Sequence, residues 1–412
     1  GDCSLKRKYI SASGCNLLVA AAAGAGKTAV LVERIIRKIT DKENPVDIDR
    51  LLIVTFTTAA AAEMRQRIGD AIARELEKDP GSRNLQRQAA LVNRACITTI
   101  HSFCLDVIKN NFHCVDLDPS FRIADETEAL LMKVETLEEL FEEKYDEEDF
   151  SPDFLQLVEC YGGSRDDRLI QDMVLDLYEF VQSHPWPEKW LKQSAEAFNV
   201  PEGLDFGSTA WGRILIKSAE IELEGCLEAM RRSVDIIQSS HGLEPYLPIF
   251  NEDISNMEAI LKACKSFDRP SALERSVSWD GLCDAFSSLE FGRLGRCGKD
   301  ADKTSQEQVK ALRDEVKERI KRLKEEIFVL PSAAIAEDLR SIYPLIRCLS
   351  GLVMEFGEKY AAKKRDKSLL DFNDLEHFCL KILIEPGEEI VPSKVALALQ
   401  ERFEEILVDE YQ

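Results

Sequence analysis

Residues 16–28 read NLLVAAAAGAGKT, an apolar run that leads into a glycine-bearing loop and then into Lys27 and Thr28. The run Asn16–Ala20 predicts a buried strand, and the amphipathic pattern from about Lys27 to Ile39 predicts a helix. Backbone N–H groups of such a loop, together with the positive end of the helix dipole, bind phosphate groups. The stretch therefore predicts a nucleotide phosphate site between a strand and a helix.

The residues of this loop have different expected roles. Lys27 is expected to reach the β- and γ-phosphates, and the Thr28 hydroxyl is expected to ligate Mg²⁺. Ala21 stands where the usual G-x-x-x-x-G-K-[ST] pattern has its first glycine. The backbone of the four residues before Lys27 is expected to surround the phosphates. These residues are Ala23, Gly24, Ala25 and Gly26.

A second part of the predicted site lies near the other end of the chain. The run Glu405–Asp409 predicts a largely apolar strand, which ends in the carboxylates of Asp409 and Glu410. Such a pair suits one carboxylate that holds Mg²⁺ and one that activates water. An acidic pair after a strand is often only structural, but the phosphate loop favours the catalytic interpretation.

Strand and helix patterns alternate between these two stretches. Leu51–Thr55 and Ala95–Thr99 predict strands, and Ala59–Leu76 and Ser102–Asn110 predict helices. This alternation is typical of an α/β fold, in which helices cover both faces of a parallel sheet. From residue 121 to residue 365 helical patterns dominate, which predicts a large helical domain inserted into the parallel-sheet domain formed by 1–120 and 366–412.

One helix of the predicted insertion has heptad-like spacing. Val309, Val316 and Ile320 belong to this repeat, with the pair Glu315/Arg319 on the other side. A helical hairpin is the simplest interpretation, with a partner helix from about Ile335 to Lys364.

Polar and aromatic residues follow the second and third predicted strands. Open α/β folds bind ligands at the edge where parallel strands end. Hydroxyl groups suit phosphates, and aromatic or imidazole rings stack on the bases of a single strand. Helix capping by the threonines and a buried structural role for the histidine are the alternatives. The candidate DNA-binding residues are Phe56, Thr57, Thr58, His101 and Ser102.

Composition limits the possible functions. The net charge of −22 argues against a protein that simply coats nucleic acid, because phosphate binding depends on Lys and Arg. The cysteines are scattered singly, without metal-ligand spacing, and no apolar run reaches the roughly 20 residues that span a bilayer. The expected compartment is the cytoplasm.

The order of the motifs resembles superfamily 1 helicases of the UvrD/RecB kind. It comprises the phosphate loop, TFTTAAAAEM from Thr55, TTIHSF from Thr98, LLDFNDL from Leu369 and VDEYQ from Val408. Three longer stretches around these motifs resemble the helicase-nuclease subunits of AddAB-type double-strand-break repair complexes in bacteria. They are NLLVAAAAGAGKT from Asn16, TFTTAAAAEMRQRI from Thr55 and ITTIHSFCLDVIKNNF from Ile97. This resemblance implies a RecA-like motor domain, ATP and Mg²⁺ as cofactors, single-stranded or duplex-end DNA as substrate and an AddB-type partner subunit.

The resemblance also implies particular residue roles. Asp409 becomes a Mg²⁺ ligand beside Thr28, Glu410 the general base, and Gln412 the sensor of the γ-phosphate. It further implies that an arginine finger and a nuclease domain lie beyond Gln412, so that this chain alone is expected to be nearly inactive as an ATPase. Asp371, Phe372 and Asp374 match a family segment, although helix capping explains Asp371 equally well.

Other classes of protein remain open at this stage. A helicase without a nuclease would account for all the motifs. An ATP-binding scaffold would account for the phosphate loop. A P-loop kinase or GTPase leaves TFTTAAAAEM and TTIHSF unexplained.

Overall fold

The structure, a computed structural model, describes residues 12, 14–20, 26–146, 151–163, 167–267, 277–298, 300–387 and 389–411. These residues divide into two compact units, one within 1–142 and 356–412 and the other within 143–355. Within the described ranges, every helix is too short or too polar to cross a lipid bilayer. The predicted domain boundaries at 120/121 and 365/366 both fall inside the first unit, and the division into a motor domain and an insertion stays a prediction.

The elements of the first unit follow the predicted alternation of strands and helices. Its strands are β1 (Leu51–Thr55), β2 (Cys96–Thr99), β3 (Arg122–Ile123), β4 (Leu369–Leu370) and β5 (Glu405–Val408). Its helices are α1 (Lys27–Ile39), α2 (Thr58–Lys78), α3 (Arg83–Leu91) and α4 (Ile100–Asn111), followed late in the chain by α14 (Phe372–Leu383) and α15 (Lys394–Arg402).

Helices are the only regular elements among the residues of the second unit that the structure describes. Its helices are α6 (Pro152–Tyr161), α7 (Arg168–Gln182), α8 (Pro187–Glu196), α9 (Ala210–Ser239), α10 (Leu247–Phe267), α11 (Trp279–Ser287) and α12 (Lys303–Arg322). Helices α5 (Glu126–Asp146) and α13 (Ser332–Asp366) each contain one of the two unit boundaries.

The sheet of the first unit has the strand order β2-β1-β5, and all three strands are parallel. Thr55 lies beside Thr99 in the register, and Val54 lies beside Val408. The predicted parallel sheet is therefore confirmed. The three strands end at one edge, so the residues that follow them lie at the same side of the sheet.

Side-chain alternation along β1 explains how the central strand is buried. Leu51 and Ile53 pack into a core formed with α1 and α2. Leu52 and Val54 point to the opposite face, where Phe103 of α4 and Phe403 cover them. Because both faces are covered, a run of five consecutive apolar or β-branched residues is stable here.

Strand β5 is covered on one face only by the described residues. Leu407 packs against α1, whereas Ile406 is 64% exposed and Val408 is 40% exposed. The predicted strand Asn16–Ala20 is wrong: this segment is exposed and forms no strand. A strand needs a neighbour to complete its backbone hydrogen bonds, and no described strand lies beside it.

The heptad-patterned helix has a different partner from the predicted one. The structure packs α12 along α9, where Val316 and Ile320 share a core with Leu223. Arg319 pairs with Glu222 of α9 at 2.7 Å instead of with the predicted Glu315. The spacing identified the buried face correctly, but it carried no information about which helix covers that face.

The core of the second unit contains one buried ion pair. Arg313 of α12 donates to Asp253 of α10 at 2.8 Å, and both side chains are almost completely buried. The guanidinium also donates to the Gly292 carbonyl and stacks over Phe250 and Phe291. This arrangement neutralises the charge of Asp253 inside an apolar core.

Candidate functional site

The start of α1 brings two distant parts of the chain together. Gly26 precedes the helix with φ = 84°, a left-handed conformation that glycine adopts readily. The Thr28 hydroxyl donates to Asp409 Oδ2 at 3.1 Å, across 381 residues of sequence. The Asp409 N–H donates to the Val54 carbonyl at 2.9 Å, which fixes the backbone just after β5. The two predicted Mg²⁺ ligands therefore face each other.

A second set of contacts holds α1 against the beginning of β5. Arg34 Nε and Lys38 Nζ each lie 2.6 Å from a Glu405 carboxylate oxygen, and these side chains are largely buried. A further bond runs from the Arg34 guanidinium to the Ala12 carbonyl at 2.6 Å. The helix is thus attached to the strand at both ends. The sequence did not predict these ion pairs, since only the fold shows that Glu405 faces α1.

The chemistry of the Thr28 and Asp409 pair fits a divalent cation. Mg²⁺ prefers oxygen ligands at about 2.1 Å in an octahedron, whose neighbouring ligands stand about 3 Å apart. The hydroxyl and carboxylate oxygens are 3.1 Å apart, which matches two neighbouring positions. These two residues can therefore hold the metal together with phosphate oxygens.

The remaining nucleotide-site candidates are only partly covered by the structure. Lys27 is half-buried at the start of α1. Glu410 is exposed and has φ = 59°, so the chain turns sharply after Asp409. Four candidates lie outside the described residues: Ala23, Gly24, Ala25 and Gln412.

The first group of DNA-binding candidates lies directly after β1. Phe56 is 80% exposed, which leaves its ring face accessible. Thr57 caps α2 by accepting from the Ala60 N–H at 3.0 Å, so the capping alternative is correct for this residue. Thr58, the first residue of the helix, is exposed.

The second group lies after β2 and contacts α14. His101 Nε2 is 3.2 Å from Glu376 Oε1, and the imidazole ring meets the Phe372 ring edge-to-face at 5.3 Å. Thr99 caps α4 and its hydroxyl donates to Ser102 Oγ at 2.9 Å. His101 is therefore a partly exposed residue with surface partners, and the buried alternative is wrong.

Helix α14 adds residues beyond the DNA-binding candidates that the sequence predicted. Phe372 is 48% exposed beside His101, and Glu376 one turn later has its Oε1 3.2 Å from His101 Nε2. Asp371 caps the helix in a reciprocal box with Asp374, which confirms its capping role. The sequence signal for Phe372 was an aromatic residue directly after the predicted cap Asp371.

Comparison with known proteins establishes the family. Residues 4–412 match the model of the UvrD/REP helicase N-terminal domain, and the chain therefore belongs to this family.

The chain is also similar to curated proteins named as A-type subunits of ATP-dependent helicase/nucleases. It is 56% identical to the protein from Acetivibrio thermocellus over 96% of its own length and 31% of the relative. It is 55% identical to the protein from Ruminiclostridium cellulolyticum over 99% of its length and 32% of the relative. The Clostridium beijerinckii protein is 50% identical over 98% of the chain and 32% of the relative. The chain thus spans about a third of these relatives.

Proposed function

We propose that this chain is the ATP-binding part of a bacterial DNA helicase and nuclease subunit that acts in double-strand-break repair. In this proposal ATP hydrolysis drives movement along single-stranded DNA. The bond between Thr28 and Asp409 carries the proposal, since it brings the phosphate loop and the acidic pair into one site. The similarity to helicase/nuclease subunits over nearly the whole chain supports it.

The nucleotide site would work through five residues of the chain. Lys27 neutralises negative charge on the β- and γ-phosphates, and the start of α1 adds its dipole. Thr28 and Asp409 hold Mg²⁺, which when bound balances the charge that develops on the phosphates. Glu410 follows on the exposed side of the turn, where its carboxylate orients and deprotonates the attacking water. Gln412 is proposed to sense the γ-phosphate.

The DNA surface would lie beside the nucleotide site at the same edge of the sheet. Phe56, His101 and Phe372 offer ring faces or edges to unstacked bases. Thr58 and Ser102 are exposed at the starts of α2 and α4, where hydroxyl and amide groups suit phosphates. Thr57 contributes by capping α2 and so fixing that surface.

The larger architecture belongs to the same proposal. The three-stranded parallel sheet is part of a RecA-like motor domain, and the helical second unit forms most of a domain inserted into it. The proposed partner is an AddB-type subunit, the proposed substrate is single-stranded or duplex-end DNA, and the scattered single cysteines favour the cytoplasm.

The metal role of Thr28 can be tested with Thr28→Val, which keeps the shape of the side chain and removes its hydroxyl. We expect the affinity for ATP in Mg²⁺ to fall about tenfold, because losing a metal ligand or its support has effects of this size. In EDTA the variant and the unmodified chain are expected to bind ATP equally. Titration calorimetry under both conditions measures this difference.

Thr40→Val is the matched control for this test. Thr40 lies at the other end of α1 and bonds the Ile36 carbonyl at 2.7 Å, so its loss has a similar structural effect. A Thr28→Val variant that loses affinity equally with and without Mg²⁺ would show that the hydroxyl does not serve the metal.

The DNA surface can be tested with Phe56→Ala. We expect the unmodified chain to bind oligothymidylate weakly, because its net charge is −22. The binding should depend strongly on salt, because contacts with phosphates release counterions. Removing the 80% exposed ring should weaken binding about tenfold, within the range of one base-aromatic stack. Fluorescence anisotropy over a salt series measures both effects.

Phe180→Ala is the control, since Phe180 is 61% exposed on the second unit and lies outside the proposed surface. Equal losses for the two variants would argue against a specific role of Phe56. Tight, salt-insensitive binding to duplex DNA would point to another mode of recognition.

A further inference from the structure

A buried charge cluster lies next to the proposed DNA surface. The Lys364 ammonium is 2.9 Å from Asp371 Oδ2 and 2.6 Å from Asp374 Oδ2, and its side chain is only 5% exposed. It also lies 4.3 Å from the centre of the Tyr360 ring. A buried lysine is tolerated only when such partners offset its desolvation. Here one cation serves two carboxylates.

The two carboxylates differ in their response to this environment. Burial raises the pKa of Asp374 above its usual value. Burial acts in the same direction on Asp371, but the Lys364 ammonium, together with a hydrogen bond from the Asp374 N–H and the nearby Tyr360 hydroxyl, outweighs it and holds the pKa of that carboxyl below its usual value. Lys364 is therefore what allows two acidic groups to stay this close together.

The cluster joins two helices through a tight turn. Lys364 lies two residues before the end of α13, whereas Asp371 and Asp374 form the capping box of α14. Between them Ser368 has φ = 51°, and β4 pairs with β3. The lysine thus fixes the direction in which α14 leaves the turn.

Helix α14 carries two residues of the proposed surface. Phe372 directly follows the cap Asp371 and meets His101 at 5.3 Å. Glu376 is two residues beyond Asp374 and lies 3.2 Å from the same imidazole. A change at the capping box therefore displaces both residues together.

We propose that Lys364 is a positioning residue for single-stranded DNA binding. It acts through Asp371 and Asp374, which set the start of α14 and thereby place Phe372 and Glu376 around His101. This inference rests on the proposed function. It adds a buried residue, which is not itself part of the solvent-facing surface, to the groups that determine DNA affinity.

Lys364→Met tests the inference because it removes the ammonium and keeps an unbranched side chain. We expect oligothymidylate affinity to fall about tenfold, the loss expected when one stacked aromatic is misplaced. Calorimetric affinity for Mg-ATP should stay within twofold, since the described contacts of Thr28 and Asp409 are with each other and with β1. Lys363→Met is the matched control: the neighbouring lysine pairs with Glu139 at 2.8 Å on a more exposed part of the helix.

The double variant Lys364→Met/Asp374→Asn separates positioning from stability and serves if the single variant does not fold. It restores the net charge of the cluster, so thermal stability should recover. DNA affinity should recover only partly, because the ammonium that joins α13 to both carboxylates is still missing. A purely structural role predicts that DNA affinity returns in full together with stability.

The outcomes of this experiment are distinguishable. If the unmodified chain binds Mg-ATP but no oligothymidylate, the proposed function fails. If the unmodified chain binds DNA and folded Lys364→Met binds it within twofold, the positioning role is wrong while the proposed function stands. Full recovery of DNA affinity in the double variant also overturns the positioning role.

Discussion

Lys27→Ala is expected to weaken Mg-ATP binding by about 3 kcal/mol, or about a hundredfold, because the phosphates lose a charge-assisted partner at the start of α1. The fold should be retained, since Lys27 is only half-buried and alanine suits the first turn of a helix. Titration calorimetry gives the affinity. Thermal melts should show equal midpoints without nucleotide and a loss of the ATP-dependent increase in the variant.

Lys42→Ala is the control for the change in charge, because Lys42 is exposed just after α1. An unchanged ATP affinity in Lys27→Ala would contradict the nucleotide-site assignment. A large drop in the melting midpoint without ATP would show instead that Lys27 stabilises the fold.

The buried ion pair of the second unit predicts the largest effect on stability. Arg313→Leu is expected to lower the free energy of unfolding by about 3–5 kcal/mol, because it leaves the Asp253 carboxylate buried without its cation. Urea unfolding followed by circular dichroism measures this loss. Replacing both residues with leucine should recover most of it, since an apolar pair carries no buried charge.

The same variant should depend on pH in a defined direction. Burial already raises the pKa of Asp253 in the presence of Arg313, and removing the guanidinium raises it further. A carboxyl whose pKa is raised in the folded state binds protons more tightly there than when unfolded. The loss of unfolding free energy caused by Arg313→Leu should therefore become smaller as the pH falls from 7 towards 5.

Arg232→Leu is the control for removing an arginine from this unit. Arg232 lies 3.5 Å from Glu228, and both side chains are mostly exposed, so the expected loss is below about 1 kcal/mol. Equal losses in Arg232→Leu and Arg313→Leu would show that burial does not determine the effect.

The parts that local sequence predicted well are those set by periodicity and by short motifs. Strands β1, β2 and β5 occur where apolar runs predicted them, and α1 has the predicted bounds. Thr28 and Asp409 were expected in one site from their chemistry and from the family resemblance, and the structure places them in contact. Each of these predictions depends on a residue and its near neighbours in sequence.

The features that the sequence did not predict depend on which residues of other elements pack against a given side chain. Arg313 occupies a heptad-patterned helix where arginine predicts exposure, yet the fold places Asp253 opposite it. Lys364 belongs to a basic stretch that predicts a solvated helix end, yet two carboxylates bury it. The run Asn16–Ala20 has the composition of a strand but no described neighbour to pair with.

The contact between Thr28 and Asp409 has a kinetic consequence. Hydroxyl and carboxylate already face each other, and Glu405 with Arg34 and Lys38 fixes the far end of the same helix and strand. If these two residues hold the metal as proposed, they need no movement of α1 relative to β5 before Mg-ATP arrives, so the ordering entropy of this pair is lost on folding and not on binding. In the proposed site the threonine hydroxyl would supply a lone pair to the ion while it keeps donating its proton to the aspartate. In a rapid-mixing experiment this part of the site contributes no slow rearrangement after encounter.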